Sequence, residues 1–160
     1  MSSSQAVNPI LALVSQADTL ATAFTQTHVQ SLPFARALAD PTASEETQER
    51  NLSALRAVLE RLEQVVAQMM EMLYRVDLFL SEPTRPGISG YDPKEACRHV
   101  SELFHMYQAE LLSKRELLAE FTCEDITADE FVHRWQTMEE VQQGKKQEVD
   151  DLADMFASFS

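Results

Sequence analysis

A long apolar seam constrains the fold of this chain more than any other feature of its sequence. Between positions 52 and 80, apolar residues recur at alternating intervals of three and four, a spacing typical of one face of an α-helix and foreign to a β-strand. The seam consists of Leu52, Leu55, Leu59, Leu62, Val66, Met69, Leu73, Val76 and Leu80. A second row lies beside it at every seventh residue: Val58, Val65, Met72 and Phe79. Two adjacent rows are too wide for a two-stranded coiled coil, so we expect this helix to pack against two or more partners.

Helix start and stop signals place this seam helix second in the chain. Asn8 followed by Pro9 is a typical helix start, and we expect Pro33 to end or kink this first helix near Ser31. The seam helix is expected to begin at Glu45 and to extend on the order of 50 Å.

Two capping boxes predict two further helices. Asp92-Pro93-Lys94-Glu95 opens a third helix that closes between Thr122 and Asp125, and Thr127-Ala128-Asp129-Glu130 opens a fourth. We therefore predict an all-α fold, with three to four long helices in an elongated up-and-down bundle or coiled-coil arrangement.

The chain has the length of a single domain. Residues 1–7 form a polar lead that we expect to be disordered, and residues 8–160 form one helical domain. A loop rich in proline and glycine, residues 81–91, interrupts it. The segment from Gln142 to Lys146 breaks the apolar pattern, either as a hinge or as an exposed stretch of a continuing helix. The acidic tail, residues 143–160, begins within this break, and a mobile tail is one expectation for it.

Composition limits the classes of partner. The formal net charge is −13, from 26 acidic and 13 basic side chains, and such a surface repels nucleic-acid backbones. No run approaches 18 continuous apolar residues, and the N-terminus lacks the basic start of a secretory signal, so we expect neither a membrane span nor secretion. Cys97 and Cys123 are expected to be buried reduced thiols. These features indicate a location in the nucleus, the cytoplasm or both.

The chain lacks the residue spacing of a catalytic or metal site. His99 and His105 lie six residues apart and so occupy different faces of their helix, and neither cysteine belongs to a metal-ligand pair. We therefore predict no catalytic residue, no cofactor and no metal. A small helical enzyme or metal protein stays an alternative only if His28, His99, His105 and His133 converge in space.

Lys114 occupies a seam position of the third helix and has two interpretations. Its aliphatic stem can cover apolar surface while the ammonium stays in water, with Glu110 one turn earlier as an ion-pair partner. Alternatively, Lys114 and Arg115 contact an acidic partner. The neighbouring methionines of the seam helix, Met69, Met70 and Met72, are expected to fill the core.

The third helix carries a recognisable pattern. The run from Val100 to Phe121 contains a Met-Tyr pair, a Glu-Leu-Leu and a Lys-Arg pair, followed by a further apolar turn. It resembles the helical signature of the cyclin-dependent kinase 2-interacting protein family. The matching residues are Met106, Tyr107, Glu110, Leu111, Leu112, Lys114, Arg115 and Leu118, and Trp135 falls where that family has a tryptophan in its next helix. A related ribosome-maturation factor has a similar Tyr-Leu-Lys-Arg element before a tryptophan-containing helix. The resemblance covers residues 100–138, about a quarter of the chain.

The resemblance implies a non-catalytic adaptor that pairs with other helical subunits. Members of the family accompany AAA-ATPases that act on large ribosomal subunit precursors, and they are linked to replication and genome maintenance. By this resemblance the chain is a hetero-oligomer subunit, and its seam and third helix bind the partner. The expected partner-binding residues are Leu59, Val66, Leu73, Tyr107, Glu110, Leu111, Lys114, Arg115 and Trp135.

A different class of function fits the same helices. The chain could be a structural coiled-coil subunit of another assembly, of the tether or kinetochore type, in which Tyr107, Lys114 and Arg115 have no special role. In either case the width of the apolar stripe predicts that the isolated chain exposes apolar surface and self-associates or is unstable without its partner.

Overall fold

The computed structural model describes residues 9–81, 93–142 and 144 of the 160-residue chain. Within these ranges every regular element is a helix. The helices are α1 (Pro9–Ala37), α2 (Glu45–Leu80), α3 (Pro93–Thr122) and α4 (Ala128–Thr137). The predicted all-α, up-and-down bundle is confirmed, whereas coiled-coil packing of the seam stays a prediction. The predicted lead, most of the proline- and glycine-rich loop, the Asp92 cap and the acidic tail beyond Gly144 lie outside the described residues.

Local capping fixes where α2 and α4 begin. The hydroxyl of Ser44 accepts a hydrogen bond from the backbone N–H of Thr47 at 3.1 Å, at the N-cap of α2. Thr127 does the same for the N–H of Glu130, also at 3.1 Å, at the N-cap of α4. Each cap satisfies one of the donors that the first turn of a helix leaves unpaired. The predicted starts of both helices are confirmed.

Pro33 does not end α1, because the helix continues through it to Ala37. Of the two predicted outcomes, the end near Ser31 is therefore wrong, and the kink stays a prediction. Proline has no N–H to donate to the carbonyl four residues earlier, which is that of Val29. Both Pro33 and Val29 lie on the exposed side of α1. Water can therefore hydrogen-bond the carbonyl that Pro33 leaves unpaired, and the helix tolerates the proline.

The first three helices alternate in direction. Ala17 of α1 packs in one cluster with Met72 and Val76 of α2 and with Val100 of α3. At the other end of the bundle Arg115 of α3 forms an ion pair with Glu63 of α2. Residue numbers therefore increase along α3 in the direction in which they decrease along α2, so the two helices are antiparallel.

The seam of α2 is buried between α1 and α3. Its members Leu55, Leu59, Leu62, Val66, Met69 and Val76 all lie in the core. The expectation that the seam helix packs against at least two partners is met by helices of its own chain.

Two further expectations concern surfaces. Cys97 is only half-buried and Cys123 is exposed, so the prediction of two buried thiols is wrong. The part of the chain that the structure describes contains no helix long and apolar enough to cross a membrane.

Candidate functional site

Lys114 lies inside the bundle, with 1% of its surface exposed. Its ammonium donates a hydrogen bond to the backbone carbonyl of Trp135 at 2.8 Å and lies 4.5 Å from the centroid of the Trp135 ring. A carboxylate oxygen of Glu110 lies 3.9 Å away. A buried cation requires such partners, since it has lost its hydration. The interpretation that Lys114 keeps its ammonium in water is therefore wrong.

Trp135 connects α4 to α1. It is fully buried, and its indole N–H donates a hydrogen bond to the hydroxyl of Ser31 at 2.9 Å. The Ser31 hydroxyl in turn donates to the carbonyl of His28 at 2.5 Å. Because Lys114 binds the same tryptophan from α3, Trp135 is the point at which three helices meet. We call the buried residues His28, Ser31, Glu110, Lys114 and Trp135 the buried anchor.

The buried anchor lies against a break in the last helical stretch. α4 ends at Thr137, and its C-cap residue Met138 has a left-handed backbone with φ of 46° and ψ of 54°. Residues 139–142 are helical again. The last carbonyls of a helix have no partner within the helix. Lys114 satisfies one of them, the carbonyl of Trp135.

Glu110 accepts hydrogen bonds from backbone groups on the other side of the same break. Its carboxylate accepts a hydrogen bond from the backbone N–H of Val141 at 3.5 Å and another from the backbone of Glu140. These are donors at the start of the new helical segment, where a negative charge is favourable. Glu110 and Lys114 lie one turn apart on α3, and together they hold the end of one helix and the beginning of the next.

Burial shifts the pKa of both charged members of the pair. It lowers the pKa of Lys114 to about 8, although the negative charge of Glu110 acts in the opposite direction. Burial also raises the pKa of Glu110, against the opposing effects of Lys114 and of the backbone N–H groups of Val141 and Glu140. For each group the loss of hydration outweighs its partner's charge, which makes the loss of either partner costly.

His28 is the third titratable member of the buried anchor. Burial, and secondarily the positive charge of Lys114, lower its pKa from 6.5 to about 4, while a hydrogen bond to the backbone of Gln136 acts in the opposite direction. Among the described residues no group hydrogen-bonds the other ring nitrogen, Nδ1. The imidazole is therefore neutral in the folded chain at neutral pH.

The burial of His28 predicts a loss of stability on acidification. Between pH 6.5 and about 4 the unfolded chain binds a proton at this histidine, whereas the folded chain does not. The free energy of unfolding should therefore fall by about 3 kcal/mol from this group as the pH drops through that window. Urea titrations across the window, followed by fluorescence of the single tryptophan, measure the change.

His28→Gln is the control for this prediction. Glutamine retains an N–H for the carbonyl of Gln136 but does not titrate, so the variant should lose most of this pH dependence. Glu110 acts in the opposite direction, because its raised pKa lets the folded chain bind a proton before the unfolded chain does. Comparison of the two proteins at each pH cancels that contribution. An identical pH dependence in both would contradict the prediction.

The structure places most of the expected partner-binding residues in the core. Those buried within the chain are Leu59, Val66, Tyr107, Glu110, Leu111, Lys114 and Trp135, and Leu73 is half-buried. A partner cannot reach the seven buried side chains while the bundle is closed. Arg115 differs from the others, because 43% of its side chain is exposed beside Glu63. Of the nine predicted contacts, Arg115 is exposed, Leu73 is partly exposed and the other seven are buried.

Some residues important in the structure were not predicted from the sequence. Ser31 carries no sequence signal, because its partner Trp135 is 104 residues away. Our prediction places Met70 in the core with Met69 and Met72, but in the structure it is exposed. The signal for this was available, since Met70 lies on neither apolar row of α2.

The four histidines are dispersed. His99 pairs with Asp18 at 2.8 Å, and His105 packs on the ring of Phe104. His28 lies in the buried anchor and His133 is exposed on α4. Among residues 9–81 and 93–142, no three His, Cys, Asp or Glu side chains are arranged to hold a metal ion.

Comparisons of the chain with protein-family models, with curated proteins and with solved structures found no match.

Proposed function

We propose that this chain is a non-catalytic helical adaptor, a subunit of an AAA-ATPase-centred complex in maturation of the large ribosomal subunit or in genome maintenance. It acts by binding and positioning: one surface of the bundle joins it to another helical subunit, and the assembly connects the ATPase to its substrate.

The observation that carries this proposal is the way in which the residues of the resemblance come together. Glu110 and Lys114 belong to the signature helix, and Trp135 belongs to the helix that follows it. Lys114 binds the backbone of Trp135 at 2.8 Å and Glu110 caps the segment just beyond it. The spacing of the signature thus corresponds to one packed α3–α4 unit rather than to separate leucine-rich helices, which supports the family resemblance as a structural one.

Affinity purification of the tagged full-length chain from its native cell, with quantitative mass spectrometry, tests the proposal. We expect an AAA-ATPase and proteins of large-subunit precursors to be recovered in amounts comparable to the chain itself. Recovery of elongated helical scaffold proteins without an ATPase would instead assign the chain to a structural assembly of the tether or kinetochore type.

Arg115 provides a test on a single residue. Arg115→Glu replaces its ion pair with Glu63 by two facing carboxylates, yet both side chains are well exposed, so the free energy of unfolding should change by less than about 1 kcal/mol. Association with the partner should weaken on the order of tenfold, as for an arginine at the centre of an interface. Lys114 is left unchanged in this experiment, because a reversed charge there would lie in the core.

Arg56→Glu is the matched control for Arg115→Glu. Arg56 is also exposed, and its replacement alters the net charge of the chain by the same amount. Equal recovery of the partner with both variants would show that Arg115 is not part of the interface.

A further inference from the structure

The second half of α2 is apolar on its outer side as well as in the core. Met70, Tyr74 and Leu78 are 56%, 62% and 48% exposed. They follow one another at intervals of four residues, so they form one row along the helix surface. We call these three residues the α2 outer row. Single exposed apolar side chains are ordinary on protein surfaces, but three in register over two turns form a continuous strip.

The α2 outer row borders α3. Met70 follows Glu63 by seven residues and so lies on nearly the same face of α2. Glu63 pairs with Arg115 of α3, which shows that α3 lies beside this face. Leu112 precedes Arg115 by three residues and is 56% exposed. The row and Leu112 therefore flank the line along which α2 and α3 meet, and both are open to solvent.

The dimensions of this strip indicate the shape of its occupant. From Met70 to Leu78 the helix rises about 12 Å, the length of two helical turns. An amphipathic helix presents its apolar side chains at intervals of three and four over the same distance. An extended peptide is less well suited, because the described part of the surface is helical and offers no strand edge for backbone pairing.

The charges around the row indicate the composition of the occupant. On α2 between Glu60 and Leu78 the charged side chains are Glu60, Arg61, Glu63, Glu71, Arg75 and Asp77. Glu63 pairs with Arg115 and Glu71 pairs with Arg75. That leaves Glu60, Asp77 and Arg61, and Arg61 lies on the side of α2 opposite Met70. Within the described residues no basic group lies within ion-pair distance of Glu60 or Asp77. The whole chain carries −13. A second copy would bring the same excess of negative charge, whereas a helix with basic flanks is attracted.

We infer that the α2 outer row, together with Leu112, is a docking surface for one amphipathic helix of a different protein, with lysine and arginine on both sides of its apolar face. This inference rests on the proposed adaptor function and names the chemical class of its helical partner. The apolar side chains of that helix cover Met70, Tyr74 and Leu78. Its basic side chains face Asp77, beside the row, and Glu60, which lies about 15 Å before Met70 on the same side of α2.

The test uses a defined probe with the full-length chain. The probe is a fluorescently labelled synthetic helix of about six turns, with leucines at intervals of three and four and lysines on either side of them. Its binding is measured by fluorescence anisotropy at physiological salt. The wild-type chain should bind it, and a peptide with glutamates in place of the lysines should bind at least about tenfold more weakly.

Variants of the chain locate the binding surface. Met70→Gln/Tyr74→Gln/Leu78→Gln keeps the net charge and should weaken binding of the lysine-flanked peptide by about tenfold or more. The matched control is Val29→Gln/Phe34→Gln, which replaces exposed apolar residues of α1 and should bind as wild type does. Circular dichroism confirms that all the variants keep their helix content.

Three results would overturn the inference. Unchanged binding by the triple variant would show that the peptide responds to general negative charge, and equal binding of the glutamate-flanked peptide would exclude basic recognition. A wild-type dimer in light scattering that the triple variant abolishes would assign the surface to a second copy. These outcomes are separable from the proposed function. If the triple variant still co-purifies with an AAA-ATPase, the adaptor function stands without this surface. If the peptide binds as expected and no ATPase co-purifies, the surface stands without that function.

Discussion

Lys114→Met is expected to lower the free energy of unfolding by about 3–5 kcal/mol, the cost typical of removing one partner from a buried ion pair. Methionine fills much of the same volume, so packing is largely retained. The loss comes from the carbonyl of Trp135, which loses its 2.8 Å donor, and from Glu110, whose carboxylate stays buried without the neighbouring cation. Urea unfolding followed by far-ultraviolet circular dichroism measures the change.

A double-mutant cycle separates the interaction energy between Glu110 and Lys114 from the cost of each substitution by itself. Lys114→Met/Glu110→Met removes both charges, and its cost should be smaller than the sum of the two single variants by about 0.5–3 kcal/mol. Arg56→Met serves as the surface control, because Arg56 is exposed and its replacement should stay within about 0.5 kcal/mol of wild type. Strictly additive costs would mean that Glu110 and Lys114 do not act as a pair in the folded chain.

Trp135→Ala is the second substitution expected to have a large effect, at about 3–5 kcal/mol of lost stability. The side chain is fully buried and packs against Phe131, with 5.5 Å between the ring centroids and the ring planes tilted by 36°. Its indole N–H donates a hydrogen bond to the hydroxyl of Ser31. Its removal leaves a cavity among three helices and also takes the aromatic ring away from the ammonium of Lys114. The same urea titration by circular dichroism applies, since this variant has no tryptophan fluorescence.

Trp135→Phe tests which part of that effect comes from the hydrogen bond. Phenylalanine keeps an aromatic ring in the cavity but leaves the Ser31 hydroxyl without its donor, so the cost should be intermediate, about 1–3 kcal/mol. Tyr74→Ala is the surface comparison, because Tyr74 is exposed and its loss should change stability by no more than about 0.5 kcal/mol. A Trp135→Ala variant as stable as Tyr74→Ala would contradict the role assigned to the buried anchor.

The two predictions together give a structural reason for the pattern that resembles an adaptor family. The Glu110, Lys114 and Trp135 positions hold the end of α4 and the start of the following segment against α3. In the closed bundle they contribute to the stability of the fold, and the proposed partner contacts lie at exposed positions, Arg115 and the α2 outer row. Substitutions in the buried anchor should therefore reduce partner binding only as far as they unfold the chain.

The helices themselves were largely predictable from the sequence. The start of α2 at Glu45 and the start of α4 after Thr127 depend on caps that act over three residues. The buried face of α2 follows from spacing along a single helix. The sequence did not decide whether α1 ends at Pro33 or continues through it, because this depends on whether the carbonyl that proline leaves unpaired faces water or the core.

The buried anchor was less predictable than the helices, because it depends on contacts between residues far apart in the chain. Lys114 was recognised as unusual, but a lysine on an apolar seam can reach outward to water or inward to a buried acceptor. The choice depends on a carbonyl of Trp135, 21 residues later in the chain, which becomes available only because α4 ends nearby at Thr137. The left-handed backbone of Met138 cannot be recognised from the pattern of apolar and polar residues around it.

The sequence by itself determined the all-α class, most helix boundaries and the apolar face of α2, since each depends on residues within one or two turns of each other. The tertiary structure alone decided that this face packs against α1 and α3, that Lys114 is enclosed, and that Met70, Tyr74 and Leu78 remain outside. These outcomes depend on which surfaces of distant helices meet. Burial is a property of the whole packed chain, and no local spacing specifies it.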